Sequence, residues 1–179
     1  MALLEDKRGN NRWRLCLAIA AVVLGALAAA GFARPSIGFA SSTPRCLTSN
    51  LRLDKVGEND FTSHRGWVFA LRNVGPVTCR VKGYPAARLV DGNARPMRTV
   101  IGHFGGSPRT VVLPPWHRAF FAITFAVSGP CSQAVFAYGV RIQPPGSASG
   151  LVWYAGRFDL CGPAPARLDV SPLAFPRQF

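Results

Sequence analysis

Trp67, Phe69 and Leu71 fall on one side of an extended chain, with Val68, Ala70 and Arg72 on the other. This period of two predicts a strand. Residues 78–82 repeat it, with Cys79 and Val81 on one face and Arg80 and Lys82 on the other. Across 135–142, Phe136, Tyr138, Val140 and Ile142 fall together, backed by Ala137, Gly139 and Arg141. Residues 119–127 are apolar on both faces, as suits a central strand covered on both sides. Shorter runs at 51–56, 109–113, 151–154 and 166–170 bring the expectation to about eight short strands. Turn and breaker signals separate them at Asp91-Gly92-Asn93, Pro114-Pro115, 128–130 and 144–146. No amphipathic helix of any length is visible, and the fifteen prolines must sit at strand edges or in loops. The pattern therefore predicts an all-β chain, a β-sandwich.

The N-terminus has a different pattern. Lys7, Arg8, Arg12 and Arg14 precede an uncharged apolar run at 15–32, and small residues after it offer several small-x-small cleavage sites. This is the layout of an exported chain's leader. The run is also close to the length that spans a bilayer, so it reads as a hydrophobic helix serving either as signal peptide or as uncleaved signal anchor. The positive-inside bias places the C-terminal domain outside the cytoplasm. Cys16 sits at the front of the run, as one of its apolar residues. The expected organisation is signal peptide or anchor at 1–33, flexible tether at 34–45, folded domain at 46–173 and tail at 174–179.

That compartment decides the cysteine chemistry. Cys46, Cys79, Cys131 and Cys161 remain once Cys16 is set aside. In an oxidising compartment they point to two disulfides. None lies in a C-x-x-C pair or near a histidine in sequence, so redox and zinc chemistry lack their usual spacing. Three connectivities are open. Sequential pairing, Cys46 with Cys79 and Cys131 with Cys161, is favoured because it closes two loops of similar length.

Charge changes the picture further. The chain has 21 Lys and Arg against 8 Asp and Glu, a net charge of +13 at pH 7. From Arg45 onward, sixteen basic residues face six acidic ones. Arg72, Arg80, Lys82, Arg88, Arg95 and Arg98 cluster along the sequence with only Asp91 among them, and form the candidate anion-contacting surface. Arginine binds carboxylate and phosphate in bidentate fashion. Outside the cytoplasm such groups belong to cell-wall polymers, lipid head groups or acidic proteins, and that location argues against nucleic acid. The alternatives are a merely soluble, arginine-biased surface and a protein-interaction or structural module.

Catalytic material is sparse. His64, His103 and His117 are the only histidines, and the chain has no G-x-S-x-G, no H-E-x-x-H and no phosphate loop. A weak metal site through His103 and His117 is the less favoured option, since durable sites use three or four ligands. A monomeric, non-enzymatic protein without cofactor is expected.

One block stands out. Asn73, Gly75, Cys79, Val81, Gly83, Tyr84, Pro85, Leu89 and Asp91, with Gly92 at the next turn, resemble the pattern of the family called domain of unknown function 4232. The likeness extends over roughly 46–172 and includes the stretch V-L-P-P-W-H-R-A-F-F-A-I-T-F. It implies an immunoglobulin-like β-sandwich in an exported or lipid-anchored actinobacterial envelope protein, and no assigned activity. No lipid-attachment box is present, so lipid anchoring is not implied. Ala86 stands after Tyr84-Pro85 where glycine is common.

Overall fold

The computed structural model describes residues 42–60, 63–127 and 133–174. The leader, most of the tether, Cys131 and residues 175–179 lie outside the described residues. Among the described residues the chain is all-β, with one short 3-10 turn at Thr48–Asn50. Its strands are β1 (Leu51–Asp60), β2 (His64–Asn73), β3 (Cys79–Lys82), β4 (Ala86–Val90) and β5 (Thr99–His103), then β6 (Thr110–Leu113), β7 (Arg118–Ala126), β8 (Ala134–Gln143), β9 (Leu151–Cys161) and β10 (Ala166–Val170). They form a five-stranded sheet in the order β1-β2-β7-β10-β5, a pair β3-β6, and a three-stranded sheet β4-β8-β9.

The arrangement is sandwich-like, with the core between the sheets. Trp67 on β2 meets Trp153 and Phe158 on β9 at ring-centroid distances of 5.1 and 4.8 Å, edge to face. Phe69 stacks on Phe121 of β7, and Leu71, Leu89, Leu113, Ile142 and Leu168 are fully buried in the same cluster. Aromatic pairs in these geometries add to the area they remove from water. All the core residues lie between Cys46 and Leu173, and Ser42–Phe179 forms one compact unit with that core entirely its own.

Two strands behave as their patterns require. β7 lies between β2 and β10, and Ala119, Phe121, Ala122, Ile123 and Phe125 are all buried. β2 is buried on both faces from Trp67 to Leu71, with β9 covering the Trp67–Phe69 face through Trp153 and Phe158. Three features depart from the expected eight strands. β4 and β5 are additional, and β9 continues well beyond Tyr154 to Cys161. β5 pairs in parallel with β10 as the sheet's edge. Gly156 takes a left-handed φ of 77° inside β9, so the strand bends where its alternation breaks.

Candidate functional site

Five of the six basic residues expected on one surface are exposed. Arg80 and Lys82 project from β3 opposite the buried Cys79 and Val81. With Arg45, Pro145 and Gly146 they line a hollow of about 190 Å³. The Arg80 Nε donates to the Thr43 carbonyl at 2.7 Å, which fixes the side chain beside the incoming chain. Arg88 on β4 and Arg98 just before β5 line an open groove of about 300 Å³ with Met97, Thr99, Val100 and Pro165. Arg88 stands directly across the β4–β8 ladder from Arg141. Arg95 lies in the β4–β5 turn, where the Asp91 carboxylate accepts the backbone N–H groups of Asn93 and Arg95, each at 2.9 Å. The one acid in this stretch is thus engaged by backbone and not by a cation.

Arg72 must be removed from the surface. It sits on β2 between buried neighbours, and its side chain is only 22% exposed. Its Nε lies 3.2 Å from Asp54 Oδ2 on β1. Register explains this, since Arg72 is paired with Arg52, two residues from Asp54.

The acids are concentrated elsewhere. Asp54 also meets Arg52, Glu58 pairs with Lys55 and Arg65, and Asp60 pairs with Arg65, all on the β1–β2 hairpin. The Lys55 ammonium hydrogen-bonded to Glu58 holds that carboxyl below its ordinary value, opposed by partial desolvation and helped by Trp67 Nε1–H and Arg65. On β10 the Asp169 carboxylate accepts from Arg167 at 2.8 Å and raises its pKa. Among the described residues no carboxylate lies within ion-pair distance of Arg45, Arg80, Lys82, Arg88, Arg95 or Arg98. A phosphate or carboxylate brought to these side chains would meet no resident competitor.

A second feature is built at one end of the sandwich. Asn73, fully buried, donates from Nδ2 to the carbonyls of Val77 and Leu113 at 2.9 Å and accepts the Gly75 N–H at 3.0 Å. Its backbone accepts the Trp116 N–H at 2.7 Å and donates to the His117 carbonyl. One residue therefore fixes both loops, 74–78 through its side chain and 114–117 through its backbone. Gly75 has no alternative here, since a Cβ would lie 2.9 Å from the Asn50 side chain. Trp116 is held at φ 70°, a conformation worth on the order of 1–3 kcal/mol of strain for a bulky residue, and its side chain is 67% exposed.

The block read in the sequence is thus a scaffold. Beyond Asn73 and Gly75, Val81 and Leu89 are core residues, and the Tyr84 hydroxyl donates to the Gly106 carbonyl. Cys79 is bonded to Cys46, its expected partner. Cys161 is also in disulfide linkage, and its expected partner Cys131 lies outside the described residues.

His103 and His117 are not brought together. His103 stacks on Tyr84 with centroids 4.1 Å apart and is level, through Val170, with Ile123. His117 precedes β7, six residues from Ile123, a distance on the order of 20 Å along the strand. Among the described residues no group of three or more His, Cys, Asp or Glu could hold a metal ion. No described helix is long and apolar enough to cross a membrane.

Trp116 was not singled out by the sequence. The available signal was a tryptophan directly after two prolines, in a turn between two strands, where no inward face exists for it.

Comparison with curated proteins and with solved structures gives no match. The family model described as domain of unknown function (DUF4232) matches residues 46–174, which takes in the Asn73 hub, the Cys46–Cys79 bridge and, Arg45 apart, both basic hollows, and the chain belongs to that family.

Proposed function

We propose that this protein is an exported, non-enzymatic binding module of the cell envelope, an immunoglobulin-like β-sandwich whose basic surface contacts an anionic cell-wall polymer. The observation that carries the reading is the segregation of charge. Among the described residues, the acids other than Asp91 and Asp159 are consumed by cations on β1, β2 and β10, whereas Arg45, Arg80, Lys82, Arg88 and Arg98 border two concave surfaces without a carboxylate partner. Export is supported by the leader pattern at 1–33 and by the disulfide between Cys46 and Cys79, a bond that persists in oxidising compartments. Polymer phosphates or carboxylates supply the bidentate acceptors that arginine suits best.

The test is co-sedimentation of residues 42–179 with isolated cell-wall material across a salt titration. Binding is expected to fall steeply between low and physiological ionic strength, as exposed charges are screened within about 8–10 Å. A variant carrying Arg80→Ala, Lys82→Ala, Arg88→Ala and Arg98→Ala should lose it, while Arg52→Ala with Arg65→Ala, on the compensated hairpin, should retain it. Equal binding by both variants would sink the reading.

A further inference from the structure

The end of the sandwich organised by Asn73 carries an exposed apolar cap. Trp116 tops it, accompanied by Val77 at 60% and Val74 at 36% exposure, with Leu47 at 62% beside them. The loops are joined by the Asn73 hydrogen bonds, and Val74 N–H donates to the Asn50 carbonyl, which ties the 47–50 segment to the same end. The cations next to it are Arg118, directly after His117, and the Arg45–Arg80 pair. The tryptophan is held in a backbone conformation that glycine would adopt without strain. Glycine at this position would relieve the strain and remove the exposed ring.

The path of the chain argues for one occupant of this cap. Arg45 pairs in parallel with Arg80, and the carbonyls of Pro44 and Thr43 accept from the Arg80 N–H and Nε, so the chain comes into the domain running in the direction of β3, from its Cys79 end. Nine residues, 33–41, lie between the apolar run and Ser42, so positions 32 and 42 are at most about 36 Å apart. An apolar run of this length suits a bilayer. Tryptophan with flanking basic residues is the side-chain set that settles at the headgroup–acyl boundary.

We infer that the Leu47–Val74–Val77–Trp116 cap is a bilayer-contacting surface, with Trp116 seated in the membrane interface and Arg118 over the head groups. This goes beyond the polymer reading and rests on the apolar side chains and Arg118, none of which borders the basic hollows. The domain would then stand with its Asn73 end on the membrane and its β4–β5 groove turned toward the wall.

The experiment uses residues 42–179 with vesicles of phosphatidylcholine and phosphatidylglycerol (1:1) carrying brominated acyl chains. Trp67 is buried and Trp153 packs against it, so quenching and a blue shift of emission report Trp116. Quenching is expected in the native domain and should persist at salt concentrations that release cell-wall material. Read by co-flotation with the vesicles, which needs no reporter tryptophan, Trp116→Gly and Val77→Asp should each weaken partitioning at least about tenfold, while Trp116→Gly melts no lower than the native domain. Unchanged partitioning in both variants, or no quenching in the native domain, would overturn the inference. So would a dimer in vesicle-free buffer whose Trp116 emission is already blue-shifted, because a second copy would then be the occupant. Loss of cell-wall binding with vesicle quenching intact would remove only the polymer reading.

Discussion

The β1–β2 hairpin and the β3–β4–β5 side of the domain carry similar densities of arginine and lysine but treat them differently. On the hairpin, Asp54, Glu58 and Asp60 stand among Arg52, Lys55, Arg65 and Arg72, so the charges serve the fold. On the other side Arg88 even faces Arg141 across a ladder, an arrangement in which like charges repel. Positive charge is therefore structural on one side and available on the other, and the total of +13 does not distinguish the two.

The strongest perturbation of this contrast is expected at the crosslink. Replacing Cys46 and Cys79 by alanine should cost about 3–4 kcal/mol, from the chain entropy of the 33-residue separation, read as a shift in the urea midpoint. It should loosen the Arg45–Arg80–Lys82 hollow and leave the hairpin ion pairs formed. Arg72→Ala comes next. It leaves a largely buried Asp54 with Arg52 alone and should cost about 1–3 kcal/mol. Arg88→Glu should instead stabilise the domain by about 0.2–1 kcal/mol, by placing opposite charges across β4 and β8, while weakening cell-wall binding. If Arg88→Glu destabilises as much as Arg72→Ala, the division between structural and available charge is wrong.

The smallest effect concerns pH. Glu58 titrates below its ordinary value of 4.5 in the folded domain, so its contribution is complete above that value and is lost as the pH falls through the lower native one. The melting-temperature difference between the native domain and Glu58→Gln should therefore be small at pH 7 and shrink as the pH is lowered below about 4.5. A difference that grows on acidification would contradict the lowered pKa.

Much of this fold was legible, and the exceptions have physical causes. β2 and β7 are long, apolar and alternating, so their patterns survive any packing arrangement. β4 is hidden because Ala86-Ala87 comes after Pro85 inside a stretch dense in turn residues. β5 is an edge strand whose residues are all at least partly exposed, so burial imposes no alternation on it. β9 reads as finished at Tyr154 because its outer half, bent at Gly156, buries only Phe158 and Leu160. Arg80, Lys82 and Arg88 could be read from exposure on short strands, and Arg95 and Arg98 from the turn between β4 and β5. Arg72 could not, because its fate depends on Asp54, brought beside it by β1–β2 register. Trp116 depends on Asn73, 43 positions earlier in the chain, and that coupling exists only once both loops are folded.

The bond between Cys46 and Cys79 also sets how the molecule bears load. Any pull arriving through the N-terminal segment reaches Arg45 and Cys46 first, and there it passes sideways into β3 through a covalent link. Strand β1, next in sequence, is therefore shielded and does not peel from β2 one hydrogen bond at a time. In a single-molecule pull from the N-terminus, the oxidised domain should resist until β3 shears from β6, whereas the reduced one should unzip from Leu51 at lower force. A domain held this way takes tension at its N-terminus without its core being opened.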